Sequence, residues 1–346
     1  MHPIENKPLA PLTTLGVGGP ARYFLEAHSE EEILEGSTWA QQKGIPLFVL
    51  GGGSNLVVSD KGFDGLVLHI ALRGVEVIES ESADQVLFRV AAGEDWDAFV
   101  QQAVEANCAG VECLAGIPGT VGGTPVQNVG AYGQEVASVI QRVRAFDLQQ
   151  RVFVEFSAAE CAFAYRRSRF NSTDKGRYIV TRVDFKLQRG GAPTLKYVDL
   201  QRIFPAEATP TLVEVAAAVR LIRQSKGMLL VEGDADCHSA GSFFKNPVVP
   251  VQAVQAIASV AGAPPPTYDA GPEHRKIPAA WLIEQAGFTK GYTRGAAGIS
   301  TRHTLALVNR GGATAVEILA LAEDIRATVA SRFGVTLEME PIQLGF

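Results

Sequence analysis

The chain has 346 residues, more than one hydrophobic core normally serves, so we expect two or three domains. Hydrophobic residues make up 47% of it and charged residues 20%, which excludes a disordered or fibrous protein. The net charge of -6 gives no general reason to bind nucleic acid or an anionic membrane, so an anionic ligand needs a local basic site.

The first half of the chain begins with a proline-containing lead-in and a helix. Ser29 and Glu32 form a capping-box pattern and Gly44 stands where a helix ends, which predicts a helix over residues 29–43. Apolar residues at helical spacing predict a second helix over 94–107. The strands predicted between the two helices cover residues 45–50, 55–58 and 66–70. This order is not that of a wound βαβ unit.

The second half of the chain alternates strands, a connection and helices. The predicted strands cover residues 141–146, 152–156 and 178–187, and a Pro- and Gly-containing connection follows over 190–211. Helices are predicted over 212–224 and, from the capping pair Thr314 and Glu317, over 314–333. We place a domain boundary near residue 225.

Glycine is the one compositional departure. The 35 glycines are about a tenth of the chain, against about 7% on average in proteins. Twelve of them fall into three short clusters, at residues 16–19, 51–53 and 116–133. The second cluster, Gly51 to Gly53 with Ser54 and Asn55, offers unhindered backbone N–H groups that suit phosphate oxygens, although a plain turn fits it equally well. It lacks the GxGxxG spacing and no helix follows it, which argues against a Rossmann dinucleotide site.

The third cluster runs from Gly116 to Gly133 and holds six glycines. It is too poor in large apolar residues to form a core element and too long for one turn. A long loop of this kind points to a binding segment.

Several features bear on location and metals. Cys108, Cys113, Cys161 and Cys237 form no CxxC pair, and the N-terminal residues show no signal-peptide pattern, so we expect reduced thiols and a cytoplasmic protein. No uncharged apolar run reaches the length of a membrane helix. The six histidines and four cysteines show no ligand spacing, so no metal site is predicted.

Five motifs stand in the order found in one known family. They are Gly51 to Asn55, Gly116 to Gly133, Tyr165-Arg166-Arg167-Ser168, Gly241-Ser242-Phe243-Phe244-Lys245-Asn246-Pro247, and Leu337-Glu338-Met339-Glu340. Together they resemble the UDP-N-acetylenolpyruvoylglucosamine reductase family, in the subclass with a mobile tyrosine loop. The resemblance runs from about Thr13 to the C-terminus.

This resemblance implies an α+β protein with the FAD-binding fold of the vanillyl-alcohol oxidase and p-cresol methylhydroxylase type. It implies a first FAD-binding subdomain at residues 1–70, joined by the tail 337–346, and a second at 71–224, with the FAD-binding region at about 17–188. A C-terminal α+β substrate-binding domain would cover 225–336.

The family uses NADPH and noncovalent FAD to reduce the enolpyruvyl ether of UDP-N-acetylglucosamine, which makes UDP-N-acetylmuramate for peptidoglycan. By resemblance, Arg166 would bind the substrate carboxylate as charge develops, Ser242 would give a proton to C2, and Glu340 would hydrogen-bond the intermediate or relay a proton. Glu338 competes with Glu340, and Met339 stands where the family usually has proline.

The same resemblance assigns the remaining ligand contacts. Cofactor-binding residues would be Gly51, Gly52, Gly53, Ser54, Asn55, Gly119, Gly122, Gly123, Asn128, Ala131, Gly133 and Ile179. Substrate-binding residues would be Tyr132, Tyr165, Tyr197, Lys226, Lys245, Asn246, Tyr268 and His303. The spacer from Lys226 to Ser242 is longer than the family pattern, which leaves the role of Lys226 open.

Two alternatives stay open from the sequence. One is another FAD-dependent oxidoreductase of the same fold that acts on an alcohol or a sugar. The other is a non-catalytic protein that binds a sugar nucleotide or a flavin. For the reductase function that the resemblance implies, we expect a monomer whose partners are the UDP-sugar and NADPH, with no nucleic acid and no membrane.

Overall fold

The computed structural model describes residues 2–79 and 82–346, which form two compact units. The first unit comprises residues 1–7, 21–52 and 64–224, and the second comprises 8–20, 53–63 and 225–346. The three-part domain division expected from the sequence stays a prediction.

The first unit is built on two sheets. One sheet has four strands in the order Ile4–Pro8, Pro20–Ala27, Phe63–Ile70 and Leu47–Leu50. The other has the order Val152–Ser157, Ile140–Asp147, Tyr178–Arg189, Gln85–Ala91 and Val75–Glu79, with Cys108–Ala109 added beside Tyr178–Arg189. A short hairpin pairs Gly130–Ala131 with Gln134–Glu135.

The helices of this unit are Glu30–Lys43, Trp96–Glu105, Thr124–Gln127, Val198–Ile203 and Leu212–Ser225. Trp96–Glu105 buries one face, formed by Trp96, Phe99, Val100, Ala103 and Val104, as its spacing predicts. These side chains join one apolar core with residues of both sheets.

The second unit has small antiparallel sheets and three longer helices. One sheet has three strands in the order Val248–Pro250, His274–Lys276 and Tyr268–Asp269. Another has three strands in the order Thr293–Arg294, Ala297–Ile299 and Leu307–Asn309. A third consists of Leu56–Val58 paired in parallel with Ile342–Leu344. The helices are Val251–Ala261, Ala279–Gln285 and Ala315–Phe333, and this unit has its own apolar core.

The capping predictions can be compared with these helices. At Ala315–Phe333, Thr314 and Glu317 form the complete capping box, and Gly334 ends the helix at φ 66°. At Glu30–Lys43, the Ser29 side chain accepts from the Glu32 amide, but the Glu32 carboxylate accepts from the His28 amide instead of completing the box. Both helices therefore begin where the sequence predicts.

Two segments differ from the sequence prediction. The lead-in contains the strands Ile4–Pro8 and Pro20–Ala27, and the predicted connection over 190–211 contains the helix Val198–Ile203. Pro20 is tolerated because it is the first residue of its strand, where a missing N–H costs little. Within the described residues, no helix is long and apolar enough to cross a membrane.

Candidate active site

Two glycine-rich loops adjoin in the first unit. A Cβ on Gly52 would lie 2.5 Å from Gly119 Cα, and a Cβ on Gly51 would lie 2.8 Å from Thr120 Oγ1. Larger side chains would therefore push the two loops apart. The structure thus brings predicted cofactor residues from distant parts of the sequence together.

The second of these loops is fixed by its own backbone bonds. The Gly119 carbonyl accepts from the Trp96 amide at 3.0 Å, and the Gly122 amide donates to the Ala92 carbonyl at 2.8 Å. By contrast, the amides of Gly52, Gly119 and Thr120 donate to no acceptor among residues 2–79 and 82–346. Adjoining amides of this kind, on residues that are at least partly exposed, suit the oxygens of a diphosphate.

The other predicted cofactor residues have different surroundings. A Cβ on Gly122 would lie 2.6 Å from Ala92 Cβ, so packing alone requires glycine there, whereas Gly123 faces open space. Gly53, in the second unit, has φ 62° and a Cβ there would lie 2.0 Å from the Leu12 carbonyl oxygen. Ile179 is fully buried and pairs with Phe146 inside its sheet.

Asn128 has a structural role that sequence reasoning did not identify. Its side chain is 1% exposed and its backbone has φ 45°. Its Nδ2 donates to the Ala164 carbonyl at 3.0 Å and to Glu135 at 3.1 Å, while its Oδ1 accepts from the Ala137 amide at 3.1 Å. These bonds tie the hairpin around Tyr132 to the loop that carries Arg166.

Arg166 lies in a strained two-residue turn. Ala164 and Arg167 exchange two backbone hydrogen bonds at 2.9 and 3.0 Å, which leaves Tyr165 and Arg166 as the turn residues. Arg166 has φ 54°, a conformation that costs a residue with a Cβ about 1 kcal/mol or more. Its Nη2 donates to the Gly130 carbonyl at 2.8 Å, and its guanidinium lies 5.4 Å from the Tyr165 ring.

Tyr132 and Tyr197 form a second feature of the first unit. Their rings meet edge to face with centroids 5.2 Å apart, and Tyr132 has φ 49°. Gly133 has φ 86°, and a Cβ there would lie 3.2 Å from Lys196 Cβ. The tip of the hairpin therefore packs on the segment that carries Tyr197.

Arg223 is a buried cation that the sequence analysis missed. It is 9% exposed, its Nε donates to the Gly116 carbonyl at 3.0 Å, and it is hydrogen-bonded to Tyr132. Burial lowers the pKa of Arg223, and the nearby Tyr132 and Asp97 oppose that change. The sequence does contain a sign that Arg223 is buried, because Arg223 follows the apolar Val219 by four residues and therefore lies on the same, buried face of the helix.

A short backbone ladder holds Ser242 and Glu340 close in the second unit. The Glu340 amide donates to the Phe243 carbonyl and the Lys245 amide donates to the Glu338 carbonyl, both at 2.9 Å. We call this pair of segments, 242–246 and 338–340, the Ser242–Glu340 ladder. It places Glu340 opposite Phe243, the residue that follows Ser242.

Side chains around the ladder add further contacts. Asn55 Nδ2 donates to the Glu340 carbonyl at 3.2 Å, and the Asn55 carbonyl accepts from the Ile342 amide at 3.0 Å. Lys245 forms an ion pair with the exposed Glu338, and Asn246 Oδ1 accepts from the Ala279 amide at 2.9 Å. Asn55, predicted to bind cofactor, thus also holds Glu340.

His303 lies near two lysines of the same unit. Burial, and to a smaller extent the positive charges of Lys226 and Lys290, together lower its pKa from 6.5 to about 4. Its Nδ1 accepts from the Leu305 amide at 3.1 Å. Lys226 is therefore near enough to His303 to lower its pKa, while Tyr268 lies 60% exposed in its short strand.

The long spacer after Lys226 is anchored by an ion-pair network. Arg302 pairs with Asp234 and Asp236, and Asp236 accepts from the Thr301 amide and hydroxyl. Burial raises the pKa of Asp236, but the hydrogen bonds from Thr301 and Arg302 outweigh it and the net change is a lower pKa. These contacts hold Thr301 and Arg302, the two residues that directly precede His303, against the spacer.

One cavity of about 720 Å³ lies elsewhere in the first unit. Its lining includes Gly110, Ser138, Ala158 and Lys186 and none of the predicted site residues. Within the described chain, no group of three or more His, Cys, Asp or Glu residues is placed to hold a metal ion.

Two family models match the chain. Residues 21–152 match an FAD binding domain, and residues 233–344 match the C-terminal domain of UDP-N-acetylenolpyruvoylglucosamine reductase. The FAD-binding domain and the separate C-terminal domain that the sequence predicts are therefore confirmed, in a chain that mixes helices and strands.

Relatives and a solved structure match along almost the whole chain. UDP-N-acetylenolpyruvoylglucosamine reductases from Streptomyces coelicolor and Thermobifida fusca are 48% and 46% identical, covering 99% of this chain and 90% and 98% of their own. The crystal structure of the reductase from Thermus caldophilus is 27% identical, with a TM-score of 0.68, covering 99% of this chain and 98% of its own.

Proposed function

This chain belongs to the UDP-N-acetylenolpyruvoylglucosamine reductase family, and we propose that Arg166, Ser242 and Glu340 carry its reaction. The chain is an FAD-containing oxidoreductase that uses NADPH to reduce UDP-N-acetylenolpyruvoylglucosamine to UDP-N-acetylmuramate, a step of peptidoglycan precursor synthesis. The two alternative functions left open by the sequence are therefore set aside.

The residues around the two glycine loops fit FAD. These residues would hold FAD, which would supply hydride transfer between NADPH and C3 of the enolpyruvyl group. The amides of Gly52, Gly119 and Thr120 are suitably placed for its diphosphate, since their loops adjoin. The proposed contacts are Gly51, Gly52, Gly53, Ser54, Asn55, Gly119, Gly122, Gly123, Asn128, Ala131, Gly133 and Ile179.

Arg166 is proposed to bind the substrate carboxylate. Hydride addition at C3 leaves negative charge at C2 that spreads into this carboxylate, so a planar cation aimed at it favours the transition state. The strained φ of 54° supports this role, because the fold keeps an arginine where glycine or asparagine would cost less. A guanidinium has five N–H donors, so Arg166 can donate to the Gly130 carbonyl and also to the substrate carboxylate.

Ser242 is proposed to donate the proton to C2, with Glu340 hydrogen-bonding the intermediate or relaying that proton. The observation that carries this proposal is the ladder, in which the Glu340 amide donates at 2.9 Å to the carbonyl of Phe243, the residue next to Ser242. A serine hydroxyl is a weak acid, so it acts only when it is held in contact with a strongly basic carbanion. Glu338 pairs with Lys245 instead, which favours Glu340 as the catalytic glutamate.

The substrate contacts are proposed from the family resemblance and from the observed groupings. Tyr132, Tyr165 and Tyr197 lie in the first unit, and Lys226, Lys245, Asn246, Tyr268 and His303 lie in the second. Lys226 and Lys245 supply positive charge that suits the UDP diphosphate. We further propose a cytoplasmic monomer, which light scattering of the purified protein with and without substrate would test.

The experiment that tests this proposal separates the two half-reactions of Arg166→Lys. Lysine keeps the positive charge but lacks the planar set of N–H donors with which a guanidinium binds both oxygens of a carboxylate. Anaerobic reoxidation of the reduced FAD by the UDP-enolpyruvyl sugar should therefore slow by about 100-fold. Reduction of the bound FAD by NADPH should stay within about twofold of wild type. Arg167→Lys, at the exposed neighbour, is the matched control, and equal behaviour of the two variants would reject the role of Arg166.

A further inference from the structure

Glu112 is a buried carboxylate that the proposed reaction does not use. It is fully buried at the start of the short 3-10 helix Glu112–Leu114, just before the glycine-rich segment that runs from Gly116 to Gly133. A charged carboxylate is costly to bury unless hydrogen bonds satisfy it. Its partners therefore indicate what it does.

Three donors surround the Glu112 carboxylate. Oε1 accepts from Gln134 Nε2 at 2.7 Å and from the Thr194 amide at 2.8 Å, while Oε2 accepts from the Gly110 amide at 2.8 Å. Gln134 belongs to the hairpin whose tip carries Tyr132. Glu112 thus joins this hairpin to the segment around Thr194.

Every polar group of Thr194 takes part in the same network. Its amide donates to Glu112, its hydroxyl accepts from Gln134 Nε2 at 3.2 Å, and its carbonyl accepts from the Cys113 thiol at 3.2 Å. Burial raises the pKa of Cys113, so this thiol keeps the proton that it donates. Thr194 is therefore a fixed point of the backbone.

The segment that begins at Thr194 leads directly to Tyr197. Lys196 packs on Gly133 at the hairpin tip, Tyr197 meets the Tyr132 ring, and the short helix Val198–Ile203 follows with Leu200 buried. Only two residues, Leu195 and Lys196, separate the fixed point from Tyr197. The position of Tyr197 therefore depends on how Thr194 is held.

We propose that Glu112 is a positioning residue that fixes the Tyr197 segment, residues 194–204, against the Tyr132 hairpin. The inference rests on the proposed function only in the step that links the segment to the UDP-sugar. The carboxylate suits this task because it accepts hydrogen bonds at both oxygens and has no donor to conflict with the three N–H groups.

The test uses Glu112→Gln in the FAD-loaded protein. Glutamine has nearly the same shape, but its NH2 must face one of the three donors, so the network loses at least one bond and gains a repulsion. Hydrogen exchange of peptides covering 194–204 should accelerate by about tenfold or more. Exchange in 212–224 should not change, and Glu105→Gln, on the exposed face of helix Trp96–Glu105, is the matched control.

A second variant guards against misfolding of the first. Thr194→Val removes only the hydroxyl that accepts from Gln134, so it should accelerate the same exchange by a smaller factor, about threefold. Exchange in 194–204 that stays at the wild-type rate in a folded Glu112→Gln protein would overturn the proposal.

Kinetics then distinguish this inference from the proposed function. If the Tyr197 segment helps to bind the UDP-sugar, Glu112→Gln should raise the KM for this substrate by about tenfold, with reduction by NADPH unchanged. Accelerated exchange with an unchanged KM supports the anchor and rejects a substrate role for Tyr197.

Discussion

The turn of Arg166 and the Ser242–Glu340 ladder hold predicted catalytic residues in different ways. Around Arg166, side-chain hydrogen bonds hold the backbone in place. The side chains of Asn128, Asn171 and Ser168 donate to the backbone carbonyls of Ala164, Arg166 and Val126, respectively. At the ladder, the two bonds that join the segment of Ser242 to the segment of Glu340 run from backbone to backbone.

This difference decides which substitutions each region tolerates. A strained turn held by buried side chains is sensitive to the loss of any one of them, because the strain is then no longer opposed. A backbone ladder persists through most side-chain changes and responds only where an N–H that it uses is lost.

The largest expected effect separates strain from catalysis at the turn. Arg166→Gly removes the guanidinium and places the one residue without a Cβ at φ 54°. Turnover should fall by about 1000-fold while the free energy of unfolding rises by about 1 kcal/mol. Steady-state rates and urea unfolding measure the two changes.

The control for this variant is Arg167→Gly, one residue further on, where the backbone has no positive φ to relieve. It should lower stability slightly and spare turnover. A less stable Arg166→Gly protein would contradict the claim of strain.

The next effect concerns the buried side chains that support the turn. Asn128→Ala deletes three hydrogen bonds and keeps a Cβ at φ 45°, so the free energy of unfolding should fall by about 3 kcal/mol. Urea titration would measure it. Asn128→Gly loses the same bonds without the strain and should recover about 1 kcal/mol; equal losses would mean that the bonds alone matter.

A pH dependence is expected in the unit that carries the ladder. The pKa of His303 is about 4 in the folded protein against 6.5 in the unfolded chain, so between these values acid protonates only the unfolded chain. The free energy of unfolding should therefore fall by about 2 kcal/mol from pH 7 to pH 5.

His303→Asn should remove most of this dependence, since asparagine keeps an acceptor for the Leu305 amide but does not titrate. Unfolding titrations at both pH values would show it. The exposed His274→Asn is the control, and an unchanged pH dependence in His303→Asn would assign the loss to other groups.

The start and end of two helices, one in each unit, could be predicted from local signals, and the reasons are visible in particular residues. Ser29, Gly44, Thr314 and Gly334 act within one turn of a helix, so sequence alone identified both helices. The strand Pro20–Ala27 was missed because its buried positions do not alternate regularly.

The supporting contacts of the site could not be read in this way. Asn55 and Glu340 are 285 residues apart, and Glu112 and Thr194 are 82 apart, so their bonds depend on the complete fold. The motifs named candidate catalytic residues, whereas the roles of Asn128, Glu112 and Arg223 became visible only through their buried partners.

The smallest expected effect concerns Met339, where the family usually has proline. The ladder uses the amides of Glu340 and Lys245 and does not use that of Met339. Met339→Pro should therefore change the free energy of unfolding by less than about 0.5 kcal/mol and leave turnover unchanged. A loss above about 2 kcal/mol would show that the ladder needs this N–H.

The most direct test of the central claim is anaerobic stopped-flow spectroscopy of Ser242→Ala in both half-reactions. We expect NADPH to reduce the bound FAD within about twofold of the wild-type rate, while reoxidation by the UDP-enolpyruvyl sugar slows by about 1000-fold, because the proton donor is lost. Equal loss in both half-reactions, or reoxidation at the wild-type rate, would contradict it.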